Sequence, residues 1–180
     1  MTGSVEKVYS EALYELAAET GSTESLKDEL SALSDIFDKN TELYGVLSSP
    51  AVASGEKEEL LDSIFGGKIS ETALNFLCLA SDKGRIRYLP AIAADFRRRW
   101  NDENGVMDVT VTSAKALSYE QRSRLSDKLA AVYGKKIVIT EKIDPSVLGG
   151  VKLTCRDKQL DGTVRTKLDN IRSSMKNIIA

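Results

Sequence analysis

A chain of 180 residues, 42% hydrophobic and 29% charged, is long enough for one or two folded domains and too apolar to be disordered. It contains no histidine, so it lacks the usual general base near neutral pH and the commonest metal ligand. No apolar run approaches the roughly 18 residues that cross a membrane, and the first residues lack signal- or transit-peptide character. We therefore expect an intracellular protein without a metal or cofactor.

The charge is distributed unevenly along the chain. Residues 1–82 contain 16 acidic and 5 basic side chains, a net charge of −11, whereas residues 83–180 contain 11 acidic and 20 basic ones, a net charge of +9. Such a division indicates two ends with different partners. The alternative is a simple difference in surface composition between two domains.

The first hundred residues have the period of six short helices. The second helix has a narrow apolar stripe, and the fifth is apolar on most sides, which is typical of a helix in the middle of a bundle. Ser54 and Ser70 are predicted to cap the fourth and fifth helices. Because the connections are short, residues 1–105 are predicted to form an antiparallel six-helix bundle.

After Asn104-Gly105 the helical period ends. Alternating β-branched residues from Val106 predict a strand, and Ser118 with Gln121 forms a capping-box pattern ahead of a helix ending at Gly134. Residues 137–140 predict a second strand, and a last helix follows near the C-terminus. Residues 106–180 are thus predicted to form a small α/β module, and the fold class is α+β, mainly helical.

The segment from Ile143 to Leu168 has two interpretations. Glycines and a threonine near a helix start are typical of a phosphate site, but a phosphate loop follows a strand and opens into a helix. Here Gly149-Gly150 precede an apolar strand, which favours a bend at the strand start. Asp161-Gly162 is a turn signal before the last helix. Cys78 and Cys155 lie in apolar segments and are predicted to be small buried side chains.

Two basic features are candidates for partner binding. Arg97–Arg99 lie at the end of a helix, where cations complement the helix dipole, and an acidic partner or nucleic acid is the alternative. The acidic overall composition counts against nucleic acid. The last helix has an apolar stripe at heptad spacing with a basic flank, and the alternative is that its stripe only covers the small sheet.

Several separate segments together match one known pattern. The most specific is residues 143–151 followed by 161–168, and the others are residues 9–17, 75–86, 89–92 and 111–114 with 117–118. In these segments the chain resembles the delta subunit of bacterial and chloroplast rotary ATP synthases, which is related to the mitochondrial oligomycin-sensitivity-conferring subunit. It departs from that family in small ways, since Asp82 stands where the family commonly has Asn and Thr163 where it commonly has Ser.

The resemblance implies a non-catalytic connector at the cytoplasmic face of the bacterial plasma membrane. It would be present in one copy per complex, monomeric on its own and peripheral to the membrane, without cofactor, metal or nucleic acid. It implies that residues 1–105 hold the N-terminal helix of an alpha subunit in a groove, and that residues 106–180 engage the C-terminal helices of the b subunits. The groove residues would be Tyr9, Leu13, Leu16, Leu74 and Leu77, and the stalk-binding residues Val164, Arg165, Leu168, Ile171, Arg172 and Met175. A nucleic-acid or phosphate-binding adaptor that uses the basic C-terminal half is the alternative.

Overall fold

The computed structural model describes residues 5–49, 51–155 and 158–168. Most of these are helical, and four strands near the C-terminus form one sheet. The chain divides into two compact units, Met1–Trp100 and Asn101–Ala180. The point of division lies within the sixth helix, before the predicted boundary at residue 105. The elements are α1 (Val5–Glu19), α2 (Thr23–Lys39), α3 (Thr41–Ser48), α4 (Ser54–Phe65), α5 (Glu71–Asp82), α6 (Leu89–Glu103), β1 (Val106–Ser113), α7 (Tyr119–Tyr133), β2 (Lys136–Ile143), β3 (Val151–Cys155) and β4 (Lys158–Asp161).

The N-terminal unit is built around one hydrophobic core to which the helices α1 to α6 contribute. The predicted stripe of α2 is confirmed, because its apolar members all lie in this core; they are Leu26, Leu30, Leu33 and Phe37. The rings of Phe37 and Phe65 stack at 6.3 Å between centroids. Each fully buried leucine contributes about 2 kcal/mol of transfer free energy, so this shared core is the main source of the unit's stability.

The two predicted helix caps differ in outcome. Ser70 caps α5, since its hydroxyl accepts a hydrogen bond from the backbone N–H of Ala73 at 3.3 Å and donates to Glu29 of α2 at 2.6 Å. The cap predicted at Ser54 is wrong, because Ala53 is the N-cap of α4. Ser54 is instead the first helical residue, and its hydroxyl donates to Asp82 at the end of α5. A cap pattern cannot reveal this long-range acceptor.

The C-terminal unit contains a four-stranded sheet in the order β2-β1-β3-β4. Strand β1 pairs in parallel with β2 and antiparallel with β3, and β3 pairs antiparallel with β4. Because β1 is central, Val109 and Val111 are fully buried. The capping box before α7 is confirmed: the backbone N–H of Gln121 donates to the Ser118 hydroxyl at 3.2 Å, and its side chain accepts from the Ser118 backbone at 2.9 Å.

The glycine corner, Gly149-Gly150, leads into β3, as the sequence predicts. Gly150 has a φ of +76°, and a Cβ atom placed on it would lie 2.5 Å from the carbonyl oxygen of Gly162. Glycine at this position therefore lets two backbone segments meet. They are joined by hydrogen bonds from the Gly162 N–H to the Val151 carbonyl and from the Val164 N–H to the Gly149 carbonyl, both 3.0 Å long.

Both cysteines are free and partly buried. Cys78 packs against the core of the N-terminal unit and Cys155 against that of the C-terminal unit. The sequence predicts small buried side chains at both positions, and the structure buries each of them in part.

Candidate partner-binding surfaces

An open apolar groove lies between α1 and α5 of the N-terminal unit. The sequence of α1 has a wide apolar arc: one edge, including Leu13, packs into the core, and the other, including Val8 and Leu16, faces outward. Val8 and Leu16 are 58% and 52% exposed, and Leu79 of α5 is 48% exposed. The groove has a volume of about 440 Å³, and its lining residues are Val8, Tyr9, Ala12, Leu13, Leu16, Thr72, Asn75, Phe76 and Leu79.

Tyr9 forms one end of this groove and is fixed from two directions. Its ring lies 6.0 Å from the ring of Phe76 between centroids, in a tilted arrangement. The Arg85 guanidinium donates to the Tyr9 hydroxyl at 3.0 Å and lies 5.6 Å from the ring centroid. Arg85 follows the end of α5, so these contacts hold the beginning of α1 beside it.

The structure brings together three of the five residues that the sequence analysis assigned to the groove. Tyr9, Leu13 and Leu16 line it, whereas Leu74 and Leu77 do not. Leu77 is fully buried in the core, and Leu74 packs partly buried against that core. The groove face of α5 consists instead of residues at positions 72, 75, 76 and 79, which recur at helical spacing. Because α5 is apolar on most sides, its periodicity does not select this face.

A second apolar recess lies between α2 and α4. It has a volume of about 550 Å³ and includes Ile36, which is 37% exposed. Charged side chains border it, among them Asp28, Glu29 and Lys68. The sequence gives no sign of this recess, because the narrow stripe of α2 predicts only a core face.

The C-terminal unit exposes the start of the last helix. Thr163 caps this helix, since its hydroxyl accepts from the backbone N–H of Thr166 at 3.2 Å, and residues 164–168 are helical. Val164 and Leu168 are 43% and 53% exposed, and Arg165 is exposed beside them. This part of the stripe therefore leaves apolar area uncovered. The other predicted stalk-binding residues, Ile171, Arg172 and Met175, lie outside the described residues.

A polar recess of about 330 Å³ lies next to the glycine corner. Its walls include three cationic side chains, Lys142, Lys152 and Arg165, and two carboxylates, Asp144 and Asp161. Ser146 donates hydrogen bonds to Asp144, and Thr163 donates to Asp161. These hydrogen bonds hold the pKa of each carboxyl below its ordinary range. Both carboxylates are therefore ionised at neutral pH, and a recess of mixed charge does not favour the phosphate-site interpretation of this segment.

Arg98 and Arg99, in the arginine run at the end of α6, form ion pairs within the N-terminal unit. Arg98 and Arg99 contact opposite oxygens of Asp95 at 2.6 and 3.1 Å, and Arg99 lies 3.7 Å from Glu11. Burial alone would raise the pKa of Asp95, but hydrogen bonding and the two arginine charges outweigh burial and hold it below its ordinary value. These contacts give Arg98 and Arg99 a structural role.

An Asp95→Asn variant should lower the free energy of unfolding of the N-terminal unit by about 1–2 kcal/mol at pH 7, because hydrogen bonds to charged groups are lost. The folded-state pKa of Asp95 is depressed, so its stabilisation is full above the unfolded-state pKa and disappears as pH falls through the folded-state value. The difference between variant and wild type should therefore shrink in acid. Urea unfolding followed by the fluorescence of Trp100, the single tryptophan, tests this. An equal difference at pH 7 and pH 3 would contradict the assignment.

Among the described residues, no helix is both long and apolar enough to span a membrane, and no group of three metal-ligating side chains comes together. An open apolar groove lined by two helices has the shape of a site for an amphipathic helix. The chain belongs to the ATP synthase delta (OSCP) subunit family, whose sequence model matches residues 5–175. It is therefore a delta-type subunit of an F-type ATP synthase.

Similar proteins support this membership. The chain is 35% identical to the ATP synthase subunit delta of Desulforamulus reducens over 175 residues, which is 97% of each chain. It is 36% identical to the subunit delta of Clostridioides difficile over 173 residues, 96% of each chain. A chain in the structure of the Toxoplasma gondii mitochondrial ATP synthase hexamer has the same fold, with a TM-score of 0.74, 24% identity and coverage of 96% of this chain and 98% of that one.

Proposed function

We propose that this chain is the peripheral-stalk connector of its ATP synthase. It joins the catalytic headpiece, through the N-terminal helix of an alpha subunit, to the C-terminal helices of the membrane-anchored b subunits. It acts without catalysis or cofactor, as one copy per complex, at the cytoplasmic face of the bacterial plasma membrane. Family membership over residues 5–175 is the observation that carries this proposal.

The headpiece side of the proposal rests on the groove between α1 and α5. An amphipathic helix of the alpha subunit lies in it and covers Val8, Leu16 and Leu79, which are otherwise exposed. The groove is formed in the free chain, since the contacts of Tyr9 with Phe76 and Arg85 already hold its walls. Residues 1–105 act as one antiparallel six-helix bundle that supports the groove. A preformed groove lowers the ordering cost of binding.

The stalk side of the proposal rests on the C-terminal unit, residues 106–180. Val164 and Leu168 offer apolar area to the b subunits, and Arg165 a positive charge. Ile171, Arg172 and Met175, which lie outside the described residues, contact the same partner in this proposal because of their spacing in the sequence. The excess of basic residues after position 82 favours an acidic partner and raises the association rate more than the affinity.

This arrangement has a mechanical purpose. A stalk that resists the torque of a rotor must not dissociate while it is loaded, so each interface in series needs a slow dissociation rate. Burial of a helix in an apolar groove provides such a rate without chemistry. Two separate units let one chain hold two partners at once, and the opposite charges of the two halves of the sequence help to keep the partners distinct.

Affinity purification from the native host tests the proposal. A tagged full-length chain should recover the alpha and b subunits together, at one connector per complex, from membranes solubilised in mild detergent. Nuclease treatment of the same sample should leave the recovered proteins unchanged. Recovery of nucleic acid in place of both subunits would overturn the proposal in favour of an adaptor that uses the basic C-terminal half.

A further inference from the structure

One leucine of the C-terminal unit has a strained backbone. Leu148 has a φ of +64° and a ψ of −37°, and it is the one non-glycine residue with a positive φ in the described parts of the chain. The backbone N–H of Gly149 donates to the carbonyl of Val147 at 2.8 Å, which closes a γ-turn around Leu148. The form of this turn with a positive φ is rare and unfavourable, above all for a bulky residue.

The Leu148 side chain contributes little to the fold of its own unit. It is 68% exposed, and it lies outside the hydrophobic core that the described residues of that unit form. Glycine or asparagine would adopt the same turn with less strain and would expose no large apolar group. The gain that offsets the strain therefore comes from outside the unit, which indicates contact with a partner.

Leu148 lies beside the exposed apolar residues at the start of the last helix. A Cβ atom placed on Gly149 would be 3.4 Å from a methyl carbon of Val164, and the Val164 N–H donates to the Gly149 carbonyl at 3.0 Å. Leu148 is therefore one residue away from the contact with Val164, and Leu168 is about one helical turn farther. Val164 and Leu168 are 43% and 53% exposed. With Leu148 they make one apolar surface, the Leu148 patch.

Basic side chains flank the Leu148 patch. Arg165 and Lys167 are exposed in the first turns of the same helix. Asp144 interacts with Arg165 and partly neutralises it, but this carboxylate also accepts a hydrogen bond from the Ser146 N–H at 2.9 Å. An apolar patch with a positive edge is complementary to an amphipathic helix whose apolar stripe is flanked by glutamate or aspartate.

We propose that Leu148 is an anchor residue for the b subunits. It inserts between apolar side chains of a b-subunit helix that lies on the Leu148 patch, with the acidic flank of that helix beside Arg165 and Lys167. A leucine that a tight turn already fixes loses little freedom on binding, so the strained turn lowers the ordering cost of the complex. This inference rests on the proposed function and deepens it, since it names a contact residue outside the last helix.

A Leu148→Gly variant separates binding from stability. Glycine removes the side chain and adopts the turn without strain, so binding should weaken without a loss of stability. The full-length variant should bind a soluble fragment that contains the C-terminal helices of the b subunits roughly tenfold more weakly in titration calorimetry, a loss typical of an anchor side chain. Hydrogen exchange of the β3 amides, which follow the turn, should be as slow as in the wild type or slower.

Two further variants are controls. Leu148→Met keeps an apolar side chain in the same turn and should bind within about twofold of the wild type. Val132→Ala shortens a 76% exposed apolar residue of α7 and should also bind like the wild type. Wild-type affinity of Leu148→Gly would overturn the inference and leave the proposed function in place. Faster exchange of the β3 amides in Leu148→Gly would overturn it too, because the loss of binding would then follow from a loosened unit.

The association and dissociation rates test the apolar and the charged parts of this surface separately. Leu148→Gly should raise the dissociation rate, whereas an Arg165→Gln/Lys167→Gln double variant should mainly lower the association rate at low salt. A Leu148→Gly effect confined to the association rate would overturn the anchor role. Failure of the wild type to bind the b-subunit fragment would overturn both the inference and the stalk side of the proposed function.

Discussion

A Leu16→Glu variant should lose most of its affinity for the N-terminal segment of the alpha subunit while its N-terminal unit stays folded. Leu16 is 52% exposed, so its replacement should change the free energy of unfolding by about 0.5 kcal/mol or less. In the complex, however, the new carboxylate would be buried against apolar side chains without a partner. A loss of about 2–3 kcal/mol, or roughly 30- to 150-fold in Kd, is expected for an apolar residue that a bound helix covers.

Titration calorimetry with a peptide of the alpha-subunit N-terminus measures this loss, and urea unfolding followed by Trp100 fluorescence checks the fold. Val132→Glu is the matched control, because Val132 is a 76% exposed apolar residue of a helix in the other unit. The control should bind the peptide like the wild type. Wild-type affinity in the folded Leu16→Glu variant would show that the alpha subunit binds elsewhere, and the recess between α2 and α4 would then be the next surface to test.

The choice of Leu16 over Leu77 shows a limit of periodicity. The resemblance assigned Tyr9, Leu13 and Leu16 of α1 to the groove, and the groove contains all three. It also assigned Leu77 of α5, whose side chain is fully buried. Apolar residues surround α5, so periodicity does not separate its core face from its groove face. Leu77 would confound binding with unfolding, because truncation of a buried leucine costs about 2–5 kcal/mol.

The sequence predicts structure correctly at several places where a short segment determines its own conformation. The capping box at Ser118, the cap at Ser70 and the strand from Val106 depend on neighbours within a few residues, and the structure confirms each of them. Features that join distant segments were missed, because nothing near them in sequence marks the partner. The hydroxyl of Ser54 bonds to Asp82, for example, in place of capping its own helix.

The glycine corner combines both kinds of information. Its local pattern predicted a bend before β3, and the bend is present. The reason for glycine at position 150 is long-range, since the carbonyl of Gly162 lies where a side chain would begin. The basic residues near this corner do not form a purely cationic site. Lys142, Lys152 and Arg165 share their recess with two ionised aspartates, so the positive charge is partly neutralised.

A Gly150→Ala variant should destabilise the C-terminal unit more than any other glycine-to-alanine change there. The left-handed backbone at φ +76° costs a residue with a Cβ atom about 1–2 kcal/mol. The added Cβ would also lie 2.5 Å from the Gly162 carbonyl oxygen and 3.1 Å from the Cα of Thr163, so two backbone segments must separate. This overpacking adds about 1–3 kcal/mol, and the total is about 2–5 kcal/mol.

Gly134→Ala isolates the contribution of the contact. Gly134 has a φ of +64° in the same unit, but a Cβ atom there would meet nothing within 4 Å, so only the backbone cost applies. Hydrogen exchange of the β1 amides, which lie at the centre of the sheet, should accelerate strongly in Gly150→Ala and modestly in Gly134→Ala. Equal acceleration would show that the two segments can move apart without cost.

The Gly150→Ala variant also tests the two proposed interfaces separately. Loosening the segments that meet at Gly150 also frees the start of the last helix, because the Val164 N–H bonds to the Gly149 carbonyl. The variant should therefore recover less b subunit in a pull-down while it binds the alpha-subunit segment with wild-type affinity through the groove of the N-terminal unit. Loss of both partners together would mean that the two units do not fold independently, whereas full retention of the b subunits would move their binding surface away from the last helix.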